Sequence, residues 1–399
     1  GIRMIVEPKV REYICTTAHP TGCEENVREQ IAYVKSRGEM EGPKRVLVIG
    51  ASTGYGLASR ITAAFGCKAA TLGIMFERPA NGKRTATAGW YNTAAFEKFA
   101  AEDGLYAKSI NGDAFSVAVK EQAIQMIRED LGQVDLVVYS LAAPRRTTAD
   151  GVTYSSVLKT TGETFTEKSL DLRSGEIVTK SVEPAAEGEL EGTIKVMGGE
   201  DWEDWMKALS KAGVLAEHAK TVAYSYIGPE ITYPIYKDGT IGHAKQHLQK
   251  TAWKMNQEIE GLTAVVSVNK ALVTQASAAI PIVPLYFAIL YKVMKEQGSH
   301  EGCIEQISRL FHTKLLADPM PLDAEGLIRM DDWELDSKVQ DEVMKIWQMV
   351  KTENVKELSD VDGFWEDFYR MFGFHLSHVD YTKDVETDVK IPSLEDEKK

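Results

Sequence analysis

Cysteines are scarce in this sequence, and apolar runs long enough to cross a membrane are missing from it. The 399 residues include 4 cysteines, none of them in a C-x-x-C pair, which excludes the disulfide framework of a small secreted domain. The longest apolar run, residues 278–291, is too short for a bilayer span and contains prolines. The N-terminus has no signal-peptide core. The sequence therefore predicts a reduced, cytoplasmic protein that has no membrane partner.

Basic residues are also in short supply. Lysine and arginine together number 46 against 59 aspartates and glutamates, which gives a formal net charge of −13. This balance disfavours broad nucleic-acid binding and docking on an anionic membrane. Hydrophobic residues make up 44% and charged residues 26%, the mix of a folded globular chain. Composition does not fix an oligomeric state, and a monomer is the expectation.

Apolar runs alternate with helical patterns from residue 45 onward. Runs with the composition of buried strands cover residues 45–49, 70–76, 105–110, 134–140, 221–227 and 264–269. This alternation predicts an α/β fold, with a Rossmann-like, doubly wound parallel sheet that carries helices on both faces. A Thr-, Ser-, Glu- and Gly-rich stretch with a turn candidate at Arg173-Ser174-Gly175 predicts a β-hairpin insertion. Beyond Gly298 the pattern is mostly helical.

No composition shift marks a second independent domain. We therefore predict one enlarged Rossmann-fold domain over residues 4–399, with residues 1–3 as a cloning remnant before a native Met4. Its predicted parts are a nucleotide-binding core (45–146 and 220–275), an insertion (147–200), a substrate-binding lid (272–310) and a helical C-terminal extension (311–399).

A glycine-rich loop, Gly50-Ala51-Ser52-Thr53-Gly54-Tyr55-Gly56, lies between the first of these strands and a helical pattern. Glycines at such a point permit a tight turn and let backbone N–H groups approach a pyrophosphate. The G-x3-G-x-G spacing differs from the commonest dinucleotide fingerprint and resembles the version of short-chain dehydrogenases/reductases. A purely structural turn is the alternative interpretation.

Further cofactor candidates follow the next strands. Glu77 ends the second strand, where an acidic residue takes the ribose 2′-hydroxyl and repels a 2′-phosphate; this favours NADH over NADPH, although Arg78 could reverse the preference. Asp113 and Ala114 follow the third strand, and Leu141 and Ala142 follow the fourth. All lie at carboxyl ends of strands, where such sheets bind ligands.

Two tyrosine–lysine pairs compete for the role of catalytic dyad. Tyr233 and Lys237 have the Tyr-x3-Lys spacing of the simple superfamily pattern, which brings two side chains together only on a helix. Pro234 steers Tyr233 away from helical backbone and counts against this pair. Tyr236 and Lys245 are separated by a Gly-rich turn, so that the tyrosine can come from a loop and the lysine from the following helix. In either pair an ammonium would lower the pKa of the phenol.

The second spacing is specific to a family. Tyr-x8-Lys within residues 235–245 resembles the FabV-type enoyl-ACP reductase / trans-2-enoyl-CoA reductase (TER) family of the short-chain dehydrogenase/reductase superfamily. Other matching segments, spread over nearly the whole chain, are Thr17–Cys23, Gly50–Gly56, Gly89–Asn92, Val196–Trp202, Val268–Thr274 and His300–Gln306.

The resemblance implies NADH-dependent reduction of the trans-2 double bond of an enoyl thioester, carried by coenzyme A or acyl carrier protein, in fatty acid biosynthesis. It implies that Tyr236 is the proton donor and Lys245 the ligand of the cofactor ribose. The implied substrate contacts are Tyr226, Ala276 and Ile280. The implied cofactor contacts are Gly50, Ala51, Ser52, Thr53, Gly54, Tyr55, Phe76, Glu77, Asp113, Ala114, Leu141, Ala142, Leu272, Val273 and Thr274.

Alternatives remain open from the residues themselves. A carbonyl or alcohol oxidoreductase would use Tyr233 and Lys237, and a dinucleotide-binding regulator would use neither dyad. The prolines within residues 278–290 predict a bent segment that closes the substrate pocket, against the interpretation of plain core. His243 and His247 have the i, i+4 spacing of zinc ligands but lack the H-E-x-x-H pattern and a third ligand, so no metal site is predicted.

Overall fold

A computed structural model describes residues 2–11, 13–274, 277 and 280–397 of the chain. The strands are β1 (Arg3–Met4), β2 (Val10–Arg11), β3 (Ile14–Cys15), β4 (Arg45–Ile49), β5 (Ala70–Met75), β6 (Ala107–Asn111), β7 (Val134–Tyr139), β8 (Arg145–Thr147), β9 (Thr153–Ser155), β10 (Phe165–Leu170), β11 (Ile177–Val182), β12 (Leu215–Ser225), β13 (Thr263–Val268), β14 (Ile328–Arg329) and β15 (Val385–Glu386). The helices are α1 (Pro20–Ser36), α2 (Gly54–Cys67), α3 (Ala88–Glu102), α4 (Val117–Asp130), α5 (Glu189–Met197), α6 (Glu200–Lys211), α7 (Thr240–Glu258), α8 (Val283–Gln297), α9 (Cys303–Leu310), α10 (Ser337–Met349), α11 (Val355–Leu358), α12 (Val361–Arg370) and α13 (Pro392–Glu397).

Seven strands form the central sheet, in the order β14-β13-β12-β7-β4-β5-β6. Every neighbouring pair in it is parallel, which confirms the predicted fold class. The chain runs outward from β4 to β6 and then returns to place β7 on the other side of β4. The order of the strands reverses between β4 and β7, and the carboxyl ends of strands at such a point are where open α/β sheets bind ligands.

Alternate residues of the strands supply two separate cores. Val46 and Val48 of β4 pack with α1, α2, α3 and α9 on one face of the sheet. Leu47 and Ile49 pack with α4, α6 and α7 on the other face. Because β4 is buried on both sides, it is apolar throughout, as a central strand of a parallel sheet must be.

The structure differs from the sequence expectations at two strands. Strand β12 begins at Leu215 and ends at Ser225, earlier at both ends than predicted. Strand β14 was not predicted, because two residues carry too little periodicity to be recognised. The predicted bend lies at residues 280–282 and includes Pro281, whereas Pro284 lies in the first turn of α8, where the missing N–H costs nothing.

The predicted hairpin is present as the antiparallel pair β10 and β11. Its turn is closed by a hydrogen bond of 2.8 Å from the Gly175 N–H to the Asp171 carbonyl. The hairpin also reaches the apolar run, since the backbone N–H of Ile282 donates to Ser169 Oγ at 3.0 Å. Ile282 has a φ of 78°, a strained value for a β-branched residue. The hairpin thus holds the start of α8 in place.

The C-terminal helix α13 covers β6, the outermost strand of the sheet. The buried carboxylate of Glu97 accepts hydrogen bonds from the backbone N–H of Ser393 at 2.8 Å and from its hydroxyl at 2.7 Å. Ser109 on β6 donates its hydroxyl proton to the same carboxylate and its backbone N–H to Ser393 Oγ. Near the N-terminus, β1 pairs with β15. Both ends of the described chain are therefore tied into the fold.

Candidate active site

The glycine loop is shaped by close backbone approaches. Gly50 has a φ of 83°, and a Cβ on it would lie 2.0 Å from the Ser140 carbonyl oxygen. A Cβ on Gly56 would lie 1.7 Å from the Gly50 carbonyl oxygen, so neither position accepts a side chain. Helix α2 begins at Gly54, and the side chain of its N-cap residue, Thr53, makes no capping hydrogen bond. The first N–H groups of α2 are thus available to an anion such as a pyrophosphate.

The carboxylate of Glu77 lies beside this loop. It accepts hydrogen bonds from Ser52 Oγ at 2.7 Å and from Thr87 Oγ1 at 2.6 Å. Asn111 holds the Glu77 backbone from both sides, because its side chain accepts from the Glu77 N–H and donates to the Glu77 carbonyl. Asn92 donates to the Ser52 carbonyl at 3.1 Å. Sequence analysis missed these three supporting side chains of Thr87, Asn111 and Asn92, although Asn92 belongs to a quoted family motif.

The remaining nucleotide-side candidates line the same edge of the sheet. Phe76 is 75% exposed directly after β5, an unusual position for a large aromatic side chain unless a ligand covers it. Asp113 accepts a hydrogen bond from the Phe115 N–H at 3.0 Å, which shapes the loop after β6. Ala114 is buried, and Lys120 and Trp205 both donate to its carbonyl. Leu141 and Ala142 follow β7 in irregular backbone.

Tyr236 and Tyr226 form a buried aromatic pair on the substrate side. Their ring centroids are 5.0 Å apart, and the rings meet edge to face at 81°. Tyr226 lies immediately beyond β12, and Tyr236 follows the 3₁₀ turn Glu230–Thr232. Tyr236 is 7% exposed, and burial together with the charge of Glu334 raises its pKa above the ordinary value. The phenol therefore keeps its proton at neutral pH and can donate it.

The competing pair of Tyr233 and Lys237 also meets in space. Tyr233 has φ −55° and ψ −42°, helical values despite the following Pro234, so the expectation that the proline would remove it from helical backbone was wrong. The Lys237 ammonium lies 4.5 Å from the centroid of the Tyr233 ring. However, Lys237 is exposed and Tyr233 is half-buried. This pair forms a surface cation–π contact, apart from the buried contact between Tyr226 and Tyr236.

Lys245 extends from the second turn of α7. Its ammonium donates to the Tyr224 carbonyl at 3.3 Å, at the end of β12, and burial lowers its pKa to about 8. The expectation that an ammonium would lower the pKa of the Tyr236 phenol was wrong: that pKa is raised, and the charge acting on it is that of Glu334.

The segment after β13 leads from the sheet to the apolar run. Leu272 and Val273 are buried at 8% and 7% exposure, and Thr274 is exposed. The backbone N–H of Val273 donates to the Tyr291 hydroxyl, and that of Thr274 donates to Ser277 Oγ. Ile280 packs against the same core as Tyr226 and Tyr236. Ala276 lies outside the described residues.

A fully buried glutamate, Glu334, was missed by sequence analysis. Its Oε2 accepts hydrogen bonds from the hydroxyls of Tyr226 at 2.9 Å and Tyr286 at 2.7 Å. Its Oε1 accepts the backbone N–H of Ala271 at 2.8 Å. Glu334 lies in an irregular segment five positions beyond β14, and nothing in the local sequence distinguishes it from a surface acid.

The next features concern the histidine pair, possible metal ligands and possible membrane helices. The described residues contain no group of three or more His, Cys, Asp or Glu side chains that could hold a metal ion. Instead, His243 Nδ1 contacts the Gly239 carbonyl, and His247 Nδ1 accepts the Gly199 N–H. Within the described ranges, no helix combines the length and the apolarity that a bilayer crossing requires.

Three family models match the chain in succession. Residues 5–82 match the NAD(P)H binding domain of trans-2-enoyl-CoA reductase. Residues 84–316, more than half of the chain, match the trans-2-enoyl-CoA reductase catalytic region. Residues 322–385 match a model described as an enoyl reductase FAD binding domain. The first match contains the glycine loop and Glu77, and the second contains both tyrosine–lysine pairs.

Relatives of similar length match from end to end. The chain is 54% identical over 98% of its length to all of the "Trans-2-enoyl-CoA reductase [NADH]" of Ruminiclostridium cellulolyticum. It is also 54% identical, over 98% of its length and all of the relative, to the "Enoyl-[acyl-carrier-protein] reductase [NADH]" of Flavobacterium psychrophilum. A crystal structure of Treponema denticola trans-2-enoyl-CoA reductase in complex with NAD, 50% identical, superimposes with a TM-score of 0.94 over 97% of this chain and 100% of that one.

A flavin does not fit the third matched segment. The apolar faces of α10 and α12 pack in the same core as α8, and the Trp365 ring contacts Phe364 and Phe368 edge to face. Glu334, the buried acid of this segment, already accepts three hydrogen bonds from protein donors. In the part of residues 322–385 described here, protein atoms thus occupy the space and the polar groups that an isoalloxazine ring would need.

Proposed function

The chain belongs to the trans-2-enoyl-CoA reductase family, and from that premise we propose how its residues reduce an enoyl thioester. The enzyme uses NADH to reduce the trans-2 double bond of enoyl thioesters to the saturated acyl thioester, a reaction of fatty acid biosynthesis. The observation that carries the site assignment is the buried, protonated phenol of Tyr236 packed against Tyr226 at the carboxyl edge of the sheet.

Residues of the glycine loop would hold the cofactor. The uncapped N–H groups at the start of α2 suit the pyrophosphate, and the absence of side chains at Gly50 and Gly56 suits its close approach. The Glu77 carboxylate, oriented by Ser52 and Thr87, would accept the hydroxyls of the adenosine ribose and repel a 2′-phosphate. Bound NADH supplies the hydride that C3 of the substrate accepts.

Charge develops on the thioester oxygen when C3 accepts a hydride. The Tyr236 hydroxyl stabilises that enolate by donating a hydrogen bond, since its raised pKa keeps it protonated. C2 is then protonated, and Tyr236 is the proton donor. The Lys245 ammonium donates to the Tyr224 carbonyl near the end of β12. It would bind the ribose next to the nicotinamide. Leu272, Val273 and Thr274 would line the nicotinamide, and Ile280 and Ala276 would contact the acyl chain.

Partners and location follow as further parts of the proposal. The thioester carrier is coenzyme A or acyl carrier protein, because the relatives bear both names. The four cysteines form no disulfide among the described residues, and three of them are buried, which supports a reducing, cytoplasmic environment. The net charge of −13 supports function without nucleic acid, and we propose that the enzyme acts as a monomer.

Steady-state kinetics test this function directly. We expect turnover of crotonyl-CoA and of a medium-chain enoyl-ACP with NADH, a much lower kcat/KM with NADPH, and no reduction of simple ketones. The ratio of kcat/KM values for the two thioesters identifies the preferred carrier. Reduction of ketones without reduction of enoyl thioesters would replace this proposal by the carbonyl reductase that uses Tyr233 and Lys237. Binding of NADH without turnover of any substrate would indicate a regulator.

A further inference from the structure

One buried carboxylate links the ends of three neighbouring strands. Tyr226 directly follows β12, and Ala271 comes three residues after β13. Glu334 comes five residues after β14, and these three strands are adjacent in the sheet. The Glu334 side chain accepts the hydroxyl proton of Tyr226 and the backbone N–H of Ala271. Its position is therefore fixed from both sides, between the substrate-side tyrosines and the segment that leads to Thr274.

The hydrogen bonds around Glu334 have a definite polarity. A carboxylate accepts and does not donate, so the Tyr226 hydroxyl proton is directed at Glu334 and away from the substrate. The pKa of Glu334 is raised overall by burial, and the hydrogen bonds from Tyr286, Ala271 and Tyr226 and the charge of Lys270 oppose that rise. The pKa of Tyr226 lies well above its ordinary value through burial and the nearby charge of Glu334. The phenol therefore keeps its proton and remains the donor.

We propose that Glu334 is a positioning residue of the reductase: it fixes Tyr226 and, through the edge-to-face ring contact, the proton donor Tyr236. This inference rests on the proposed role of Tyr236. Tyr226, with its proton committed to Glu334, orients the Tyr236 ring and does not donate a second hydrogen bond to the enolate oxygen. The inference also gives the third matched segment a role in the reaction that requires no flavin.

Hydrogen bonds from Tyr286 and Gln340 hold Glu334 itself in place. Tyr286 on α8 donates to Oε2, and Gln340 on α10 donates both to the Tyr286 hydroxyl at 3.1 Å and to the Glu334 carbonyl at 2.8 Å. Because the side chain and the backbone of Glu334 are both held, a displacement of Tyr226 would break a charge-assisted hydrogen bond in a buried site. Such rigid support is what precise placement of a reacting group requires, since misplacement by about 1 Å can cost ~10²-fold in rate.

A double-mutant cycle between Glu334 and Tyr226 tests the proposal. Glu334→Gln keeps the shape of the side chain but removes its charge and leaves a single acceptor oxygen, so that Tyr226 and the Ala271 N–H can no longer both donate to it. We expect kcat to fall about tenfold or more, with the KM for crotonyl-CoA and the dissociation constant for NADH changed less than about threefold, because orientation acts on the transition state. Tyr226→Phe should cause a similar fall, and the double variant should be no worse than the poorer single variant.

The matched control is Glu97→Gln. Glu97 is also a buried carboxylate with three protein donors, but these come from Ser109 and Ser393, remote from the site. This variant should keep the wild-type kcat even if its melting temperature falls. If Glu334→Gln does not fold, the same cycle uses Glu334→Asp, which keeps the charge but cannot reach Tyr226 and Ala271 together.

Three results would overturn the inference: wild-type kcat in the Glu334 variant, losses that multiply in the double variant, or an equal loss of kcat in Glu97→Gln. Any of these would leave the proposed function intact if the kcat of Tyr236→Phe falls by ~10²-fold or more. Full activity in Tyr236→Phe would instead refute the assigned proton donor, whatever the Glu334 variant does. The two failures are therefore distinguishable in one set of proteins.

Discussion

The nucleotide side and the substrate side of this enzyme are assembled in different ways. On the nucleotide side, Ser52 and Glu77, which share a hydrogen bond, are 25 positions apart, within one strand–helix–strand unit. On the substrate side, Tyr226 and Glu334, which also share one, are 108 positions apart and are brought together by the order of the strands. The first arrangement is a property of a short segment, whereas the second exists only in the folded sheet.

This difference teaches where each function can tolerate change. The glycine loop depends on contacts between backbone atoms, so its requirement is mainly the absence of side chains. The tyrosine pair depends on hydrogen bonds and ring contacts between side chains from separate elements. Substitutions on the nucleotide side should therefore act mainly on cofactor affinity and selectivity, and substitutions on the substrate side should act mainly on turnover.

The largest expected effect tests the substrate side. Tyr236→Phe removes the phenolic proton while the ring and its contact with Tyr226 remain. Loss of a general acid typically costs ~10²–10⁴-fold, so we expect kcat to fall within that range while NADH binding persists. Tyr233→Phe is the matched control, because it removes a hydroxyl three positions away on the surface pair, and it should be nearly silent. The reverse result, activity lost at Tyr233 and retained at Tyr236, would assign catalysis to the other dyad.

A pH titration of NADH binding probes the point where the two sides meet. Burial lowers the pKa of Lys245 to about 8, so its ammonium is charged below that pH and neutral above it. If the ammonium binds the ribose, NADH affinity should be highest below about pH 8 and should decrease above it, by at most about tenfold per pH unit.

Lys245→Met supplies the comparison for this titration. The variant should bind NADH more weakly at every pH, and its affinity should change little between about pH 7 and pH 9.5. Lys270 is also buried with its pKa lowered to about 8, so a decrease that persists in Lys245→Met would have to be assigned to Lys270. A flat profile in the wild-type enzyme would contradict the role of Lys245.

The smallest expected effect concerns cofactor selectivity. Glu77→Gln removes the charge that would oppose a 2′-phosphate but keeps a side chain that can bond to Ser52 and Thr87. Repulsion across a half-exposed site is worth on the order of 1–2 kcal/mol, so the preference for NADH over NADPH should decrease about tenfold while kcat with NADH changes little. Glu102→Gln, an equal change of charge at the far end of α3, should leave the preference unaltered. An unchanged ratio in Glu77→Gln would remove Glu77 from the selectivity argument.

The two sides also differ in how much their sequence reveals. The buried strand β4, the glycine loop and Glu77 are consecutive signals, and each can be read from a window of a few residues. Tyr236 and Lys245 were selected by their spacing together with a family resemblance, because local rules favoured neither pair decisively. The helical backbone of Tyr233 shows why: Pro234 is accommodated directly after the 3₁₀ turn Glu230–Thr232 and its C-cap Tyr233, and the tendency of residues before proline to avoid helix is only statistical.

Glu334 could not be found from the sequence for a physical reason. An acidic side chain would normally be placed on the surface, and the three donors that make its burial possible come from the residue after β12, from the segment after β13 and from α8. None of these partners lies near it in the chain. The strand that delivers it, β14, is two residues long and leaves no periodic signal. The places of Glu334 and of β14 are therefore decided by tertiary contacts and not by local sequence preference.

The packing of α13 over β6 protects the protein against self-association in solution. An outermost strand presents unpaired N–H and C=O groups that can pair with another molecule. Here the Ser109 N–H donates to Ser393 Oγ, and the Ser393 N–H donates to the Glu97 carboxylate. Removal of the last residues from Ile391 onward would expose this strand and leave a buried carboxylate without its donors. The shortened enzyme should self-associate into aggregates as its concentration rises, even though its catalytic groups would all be present.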